Sequence, residues 1–260
     1  MRHWAIFTDL DGTLLDSRTF DFSPALSILE RLSNAHVPIV PVTSKTFAEV
    51  AVLAQELNLR HPMIVESGGA IARRTVAGWT IEALAPSLET LRHAIDEIER
   101  LAGVRVTRYS SMPPDEASLY SGLSGAALQR SQRRMFSEPI VVHPADRNAV
   151  IAAATSLGIS AHRGGRFLHL SHGTSKREAT ARIRDELGPG LTMVALGDTP
   201  MDAPFLDLAN VPIIVPRASG DPDPELRRAV PRARIAPAPG PEGWAASVAG
   251  IWSELERHGT

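Results

Sequence analysis

TDLDGTLLD, residues 8–16, follows an apolar run that starts at Trp4. The segment from Trp4 to Leu10 reads as a short buried strand, which places Asp9 and Asp11 where it ends. Two carboxylates two residues apart on a strand point to one face and repel each other. The arrangement makes sense if a cation lies between them or if one carries a proton. Gly12 then allows a sharp turn.

Outward from this stretch, strand and helix alternate. Ser23-Pro24 opens a helix with Leu26, Leu29 and Leu32 on one stripe. Residues 37–43 predict a second strand, and Val50, Leu53, Ala54 and Leu57 carry the i, i+3, i+4, i+7 spacing of a helix. A third strand over 62–66 ends at the turn Ser67-Gly68-Gly69. The rhythm returns late in the chain: helix 174–187, strand 192–196, short helix 200–209, strand 211–215. Strands separated by helices predict an α/β fold, a Rossmann-like parallel sheet with helices on both faces and ligands beyond the carboxyl ends of the strands.

Between these parts the pattern changes. A helix over 87–101, an irregular polar stretch over 109–121, a basic helix over 125–135, a strand over 140–143, a helix over 145–157 and a strand over 166–170 predict a smaller inserted α/β domain. The expected division is 1–83 and 171–260 for the core, 84–170 for the insertion. Residues 212–241 hold eight of the twenty prolines and read as mostly irregular. An amphipathic helix with Trp244, Val248, Ile251, Trp252 and Leu255 follows, its aromatics read as core.

Composition narrows the function. The chain has 260 residues, 43% hydrophobic and 22% charged, with a net charge of −2. No bulk field draws in nucleic acid or anionic membrane, so an anionic ligand must be held by locally placed cations. There is no cysteine, which excludes disulfides, thiolate metal sites and a thiol nucleophile. No apolar run reaches the length of a membrane span or a leader. A soluble, cytoplasmic protein is expected.

The motifs resemble those of the haloacid dehalogenase superfamily: Asp9 and Asp11 in DLDGT, Thr43 at the end of the second strand in VPVTSKT, Lys176 in HGTSKREAT, and Asp198 with Asp202 in ALGDTPMDAPFL. The resemblance implies a phosphatase in which Asp9 forms an aspartyl-phosphate and Asp11 serves as general acid and base. Thr43 and Lys176 would hold phosphoryl oxygens. Mg2+ would be bound by Asp9, Asp198, the Asp11 carbonyl and Asp202, oxygen donors suited to a hard cation. Met201 stands where that family usually has Asn.

The strings VPVTSKT, VESGGAI, EPIVV, GGRFLH and PAPGPEGW are similar to mannosyl-3-phosphoglycerate phosphatases in particular. That likeness implies a small phosphorylated sugar-glycerate substrate, the insertion acting as a cap. Ser44 and Lys45 in the core are expected to contact it, with Arg134, Glu138, Gly165 and Arg166 in the cap. Arg suits a carboxylate, and Gly allows close backbone approach. Another sugar phosphatase (acting on glucosyl-3-phosphoglycerate, sucrose phosphate or a hexose phosphate) and a non-catalytic sugar-phosphate-binding protein are the alternatives.

Overall fold

The computed structural model describes residues 3–257 apart from 165 and 174. Strand β1 (Trp4–Thr8) alternates between two buried faces: Trp4 and Ile6 join one apolar cluster, Ala5 and Phe7 another. A strand covered on both faces shows no polar side, so its sequence is an unbroken apolar run. Helix α1 (Leu26–Asn34) lays Ile28, Leu29 and Leu32 on the first face. After β2 (Ile39–Pro41), α2 (Phe47–Glu56) begins with a capping box in which Thr46 and Glu49 exchange hydrogen bonds. Strand β3 (Met63–Val65) leads into β4 (Ala70–Thr75) and β5 (Gly78–Ala83), an antiparallel hairpin that the sequence reading does not contain.

Helix α3 (Leu88–Ala102), β6 (Thr107–Arg108), α4 (Pro114–Ser121), α5 (Gly125–Ser131), β7 (Ser137–Val141), α6 (Arg147–Ser156), β8 (Ile159–Gly164) and β9 (Phe167–His172) come next. They make a second, antiparallel sheet in the order β6-β7-β9-β8. Leu91, Ile95 and Ile98 of α3 and Val150 and Ala154 of α6 pack on one face of it with Leu168 and Leu170 of β9. Helix α4 lies in the stretch expected to be irregular. Pro114 occupies the first turn beside Asp115 and Glu116, and left-handed Gly122 ends the helix.

The chain then returns to the first sheet through α7 (Lys176–Leu187), β10 (Thr192–Gly197), α8 (Ala203–Leu206) and β11 (Val211–Ile214). It continues with α9 (Pro224–Ala229), β12 (Arg234–Ile235) and α10 (Gly240–Arg257). Residues 212–241 are therefore more regular than their prolines suggest; Asp223 caps α9 through the amides of Glu225 and Leu226. The sheet order is β12-β11-β10-β1-β2, all parallel, and a Val42–Ile64 bridge attaches β3. Trp244 of α10 is fully buried as expected, and its indole N–H donates to Thr8 Oγ1 at 2.9 Å. Among the described residues no helix is long and apolar enough to cross a membrane.

One buried carboxylate joins the two sheets. Glu66, at the end of β3 with φ 47°, accepts from the backbone amides of Met135, Phe136 and Ser137 at 2.9, 3.0 and 2.9 Å and from the Ser137 hydroxyl at 2.7 Å. Gly68, at φ +99°, lets this turn lie against α7; a Cβ there would sit 2.5 Å from the Ser175 carbonyl oxygen. Glu66→Gln puts an amide N–H among these donors. It is expected to cost about 1–3 kcal/mol, read as a lower urea midpoint.

Candidate active site

Parallel packing carries β1 and β10 to the same edge, so Asp9 and Asp198 follow their strands into one crevice. Ser175 caps α7 and Lys176 is its first residue, 5% exposed. Its ammonium donates to Asp9 Oδ1 at 2.8 Å and to Asp202 Oδ1 at 2.7 Å. Burial alone would lower its pKa, but the Asp202 and Asp9 carboxylates raise it, so Lys176 stays charged. Asp202 Oδ2 accepts from the amides of Asp198 and Thr199 and from the Thr199 hydroxyl, at 3.1, 3.0 and 3.1 Å. Thr13 donates to Asp198 Oδ1 at 2.9 Å. The Lys176–Asp202 pair and the Thr13–Asp198 bond span 26 and 185 residues and leave no local signal.

Burial pushes the Asp9 carboxyl up to about 7; Lys176 opposes this and Asp202 reinforces it. Asp198 is raised well above the ordinary carboxylate range by burial and by the Asp202 and Asp9 charges. Asp11 faces Lys45, with Nζ 2.9 Å from Oδ1, and Lys45 lies 3.7 Å from Glu49 one turn along α2 and 4.8 Å from the Phe20 ring centroid. Burial raises the Asp11 carboxyl against the pull of Lys45. Thr43 is buried, its Oγ1 accepting from the Lys45 amide at 3.2 Å.

A cavity of about 600 Å³ opens above these groups. Asp9, Asp11, Ser44, Lys45 and Lys176 lie on the core side, and Arg134 and Arg166 on the side of the second sheet. Arg134 is held by the Ser44 carbonyl at 2.8 Å and the Ser131 carbonyl at 3.1 Å. Glu138 does not reach the cavity. It is fully buried, accepting from the Ser110 amide at 2.8 Å and from the Ser110 hydroxyl, because strand alternation turns Pro139 to the cavity instead. Its expected contact with sugar hydroxyls is corrected accordingly. Gly165 lies outside the described residues. His169, read from sequence as a surface or packing residue, lines the cavity, and burial lowers its pKa to about 3.

The donor set suits a divalent metal. Carboxylate oxygens of Asp9, Asp198 and Asp202 lie within 4.8 Å of one another. Ionised, these three with Lys176 leave two uncompensated negative charges, matched by one divalent ion. Asp9 Oδ2 and Asp198 Oδ2 take no hydrogen bond from the described residues, whereas both oxygens of Asp202 are engaged. Gly12, at φ +81°, leaves room for this cluster: a Cβ there would lie 2.5 Å from Asp198 Oδ2. Gly12→Ala is expected to displace that carboxylate and weaken the binding of a divalent cation about 10–100-fold by calorimetric titration.

The family model of haloacid dehalogenase-like hydrolases matches residues 6–113. Among curated relatives, the chain is 29% identical to glucosyl-3-phosphoglycerate/mannosyl-3-phosphoglycerate phosphatase of Methanococcoides burtonii over 262 residues, 94% of this chain and 95% of the other. It is also 29% identical to the protein of the same name from Persephonella marina over 269 residues, 97% and 98% of the two chains. Among solved structures, a phosphatase of the haloalkanoate enzyme superfamily from Bacteroides thetaiotaomicron shares the fold. The TM-score is 0.70 at 16% identity, covering 99% of this chain and 96% of that one. Together these matches support an enzyme of the phosphoric monoester hydrolase class.

Proposed function

We propose that the chain is a Mg2+-dependent phosphatase that hydrolyses mannosyl-3-phosphoglycerate to mannosylglycerate and phosphate through an aspartyl-phosphate at Asp9. The observation that carries this reading is the convergence of Asp9, Lys176 and Asp198 at the carboxyl edge of the parallel sheet. We read residues 84–170 as the cap and 1–83 with 171–260 as the core.

A carboxylate oxygen of Asp9 attacks phosphorus, forming one P–O bond as the ester P–O bond breaks. Asp11 donates its proton to the leaving oxygen, and burial shifts its carboxyl upward, the direction that suits a general acid. Water then attacks the phosphoryl group, Asp11 takes back a proton, and Asp9 is freed. Lys176 holds Asp9 in place and, with Thr43, draws charge from the phosphoryl oxygens. Bound Mg2+, held by Asp9, Asp198 and the Asp11 carbonyl with Asp202 supporting, would screen the repulsion between nucleophile and phosphate. We assign to Ser44, Lys45, Arg134 and Arg166 the contacts that hold the rest of the substrate, the arginines suiting its carboxylate.

The glucosyl analogue is the second reading, favoured by the double name of both relatives. Phosphate release is measured from the mannosyl and glucosyl compounds, each with Mg2+ and with chelator. Metal-dependent release from the mannosyl compound, faster than from the glucosyl one, is expected. Release from neither compound, while a hexose phosphate is hydrolysed, would overturn the substrate assignment.

A further inference from the structure

We propose that the partly buried rings of Tyr120 and Phe167 form a wall on which the hexose ring of the substrate stacks. The inference rests on the phosphatase reading above and names the side chains that select a glycosylated substrate. The chain contains only two tyrosines, and both line the cavity above Asp9. Phe167 lies between them, its centroid 5.0 Å from Tyr109 at 62° and 6.1 Å from Tyr120 at 47°.

The rings have different settings. Tyr109 is 2% exposed, packs with Met112, Ala117 and Leu128, and has its hydroxyl 2.6 Å from Ser131 Oγ. It forms the backing. Tyr120 and Phe167 sit at the edge of that cluster, partly open to the cavity. A hexose offers an apolar C–H face that suits an aromatic surface, and a rim of hydroxyls.

The wall is also held rigid. Arg166, just before Phe167, donates to the carbonyls of Leu119 and Tyr120 at the end of α4. A cation there meets the negative end of the helix dipole and its unpaired carbonyls. The helix end bearing Tyr120 is thereby tied to the start of β9, which bears Phe167. Through this one nitrogen Arg166 also positions the pair, beside the substrate contact assigned to it above, and fixed rings lose little freedom when a ligand stacks on them.

Phe167→Leu and Tyr120→Leu keep apolar volume and remove the ring. Each is assayed on mannosyl-3-phosphoglycerate and on 3-phosphoglycerate, which lacks the sugar and serves as substrate or competitive inhibitor. The expected result is an about tenfold higher KM for the glycosylated compound, with kcat and the affinity for 3-phosphoglycerate unchanged. Phe167→Tyr should retain wild-type KM. Equal effects on both compounds, or no effect on either, would overturn the proposal. If the wild type rejects the hexosyl compounds but hydrolyses a hexose phosphate, the substrate reading fails alone. The wall is then judged in the same way on that hexose phosphate against glycerol 3-phosphate.

Discussion

Asp9→Asn should reduce phosphate release by about 10⁴-fold or more, because an amide does not supply the anionic oxygen that takes up the phosphoryl group. The fold should survive. Asn keeps a carbonyl oxygen for the Lys176 bond, and its neutrality removes the cost of burying a charge, which pushes the Asp9 carboxyl up to about 7. The metal-free variant should therefore melt no lower than the wild type. Single-turnover assays and thermal melts check the two halves. Turnover retained above about one per cent would show that Asp9 is not the nucleophile.

Lys176→Met is expected to damage both stability and activity. Its ammonium is buried between two carboxylates at 2.8 and 2.7 Å, so removal leaves Asp9, Asp198 and Asp202 facing one another uncompensated. Breaking such a buried pair costs about 3–5 kcal/mol. In a chain of this size that corresponds to a melting temperature lowered by roughly 10 °C. An added divalent cation should recover part of the loss, since an ion bound only by the folded state stabilises it and would replace the missing positive charge. Phosphate release should remain severely reduced even with metal. An unchanged melting temperature would mean that the carboxylates do not depend on this ammonium.

The core was legible because its signals are local. An apolar strand running into DLDGT, alternating periodicities and a lysine opening a helix are all visible within a dozen residues. The cap was read less completely. The sequence SMPPDEASLYSG looks irregular by its paired prolines, yet Pro114 at a first helical position and the acids after it are helix-start features, and α4 forms there. Glu138 looked available because it is charged and precedes a proline, but its burial depends on strand alternation and on Ser110, 28 residues away. Glu66 gave no sign of its role: nothing near it in sequence shows that three amides some 70 residues later need an acceptor. Lys45 stands out in its motif and its pairing with Glu49 is local, while its pairing with Asp11 emerges only when the ends of β1 and β2 are set side by side.

The pairing of β1 with β10, Ile6 against Val194, bears on how the molecule is made. Parallel neighbours are never joined by a tight hairpin, and here the connection spans the whole second sheet. While the ribosome has released only the first 170 residues, β1 has β2 on one side and a bare edge on the other. The ammonium and two of the three carboxylates have yet to emerge, so the nascent chain carries Asp9 but is chemically silent. Pairings so distant in sequence are slow to close and leave apolar surface open meanwhile. The acidic cluster is thus among the last parts of the molecule to be assembled, after the strand that leads into Asp9 has waited through most of synthesis.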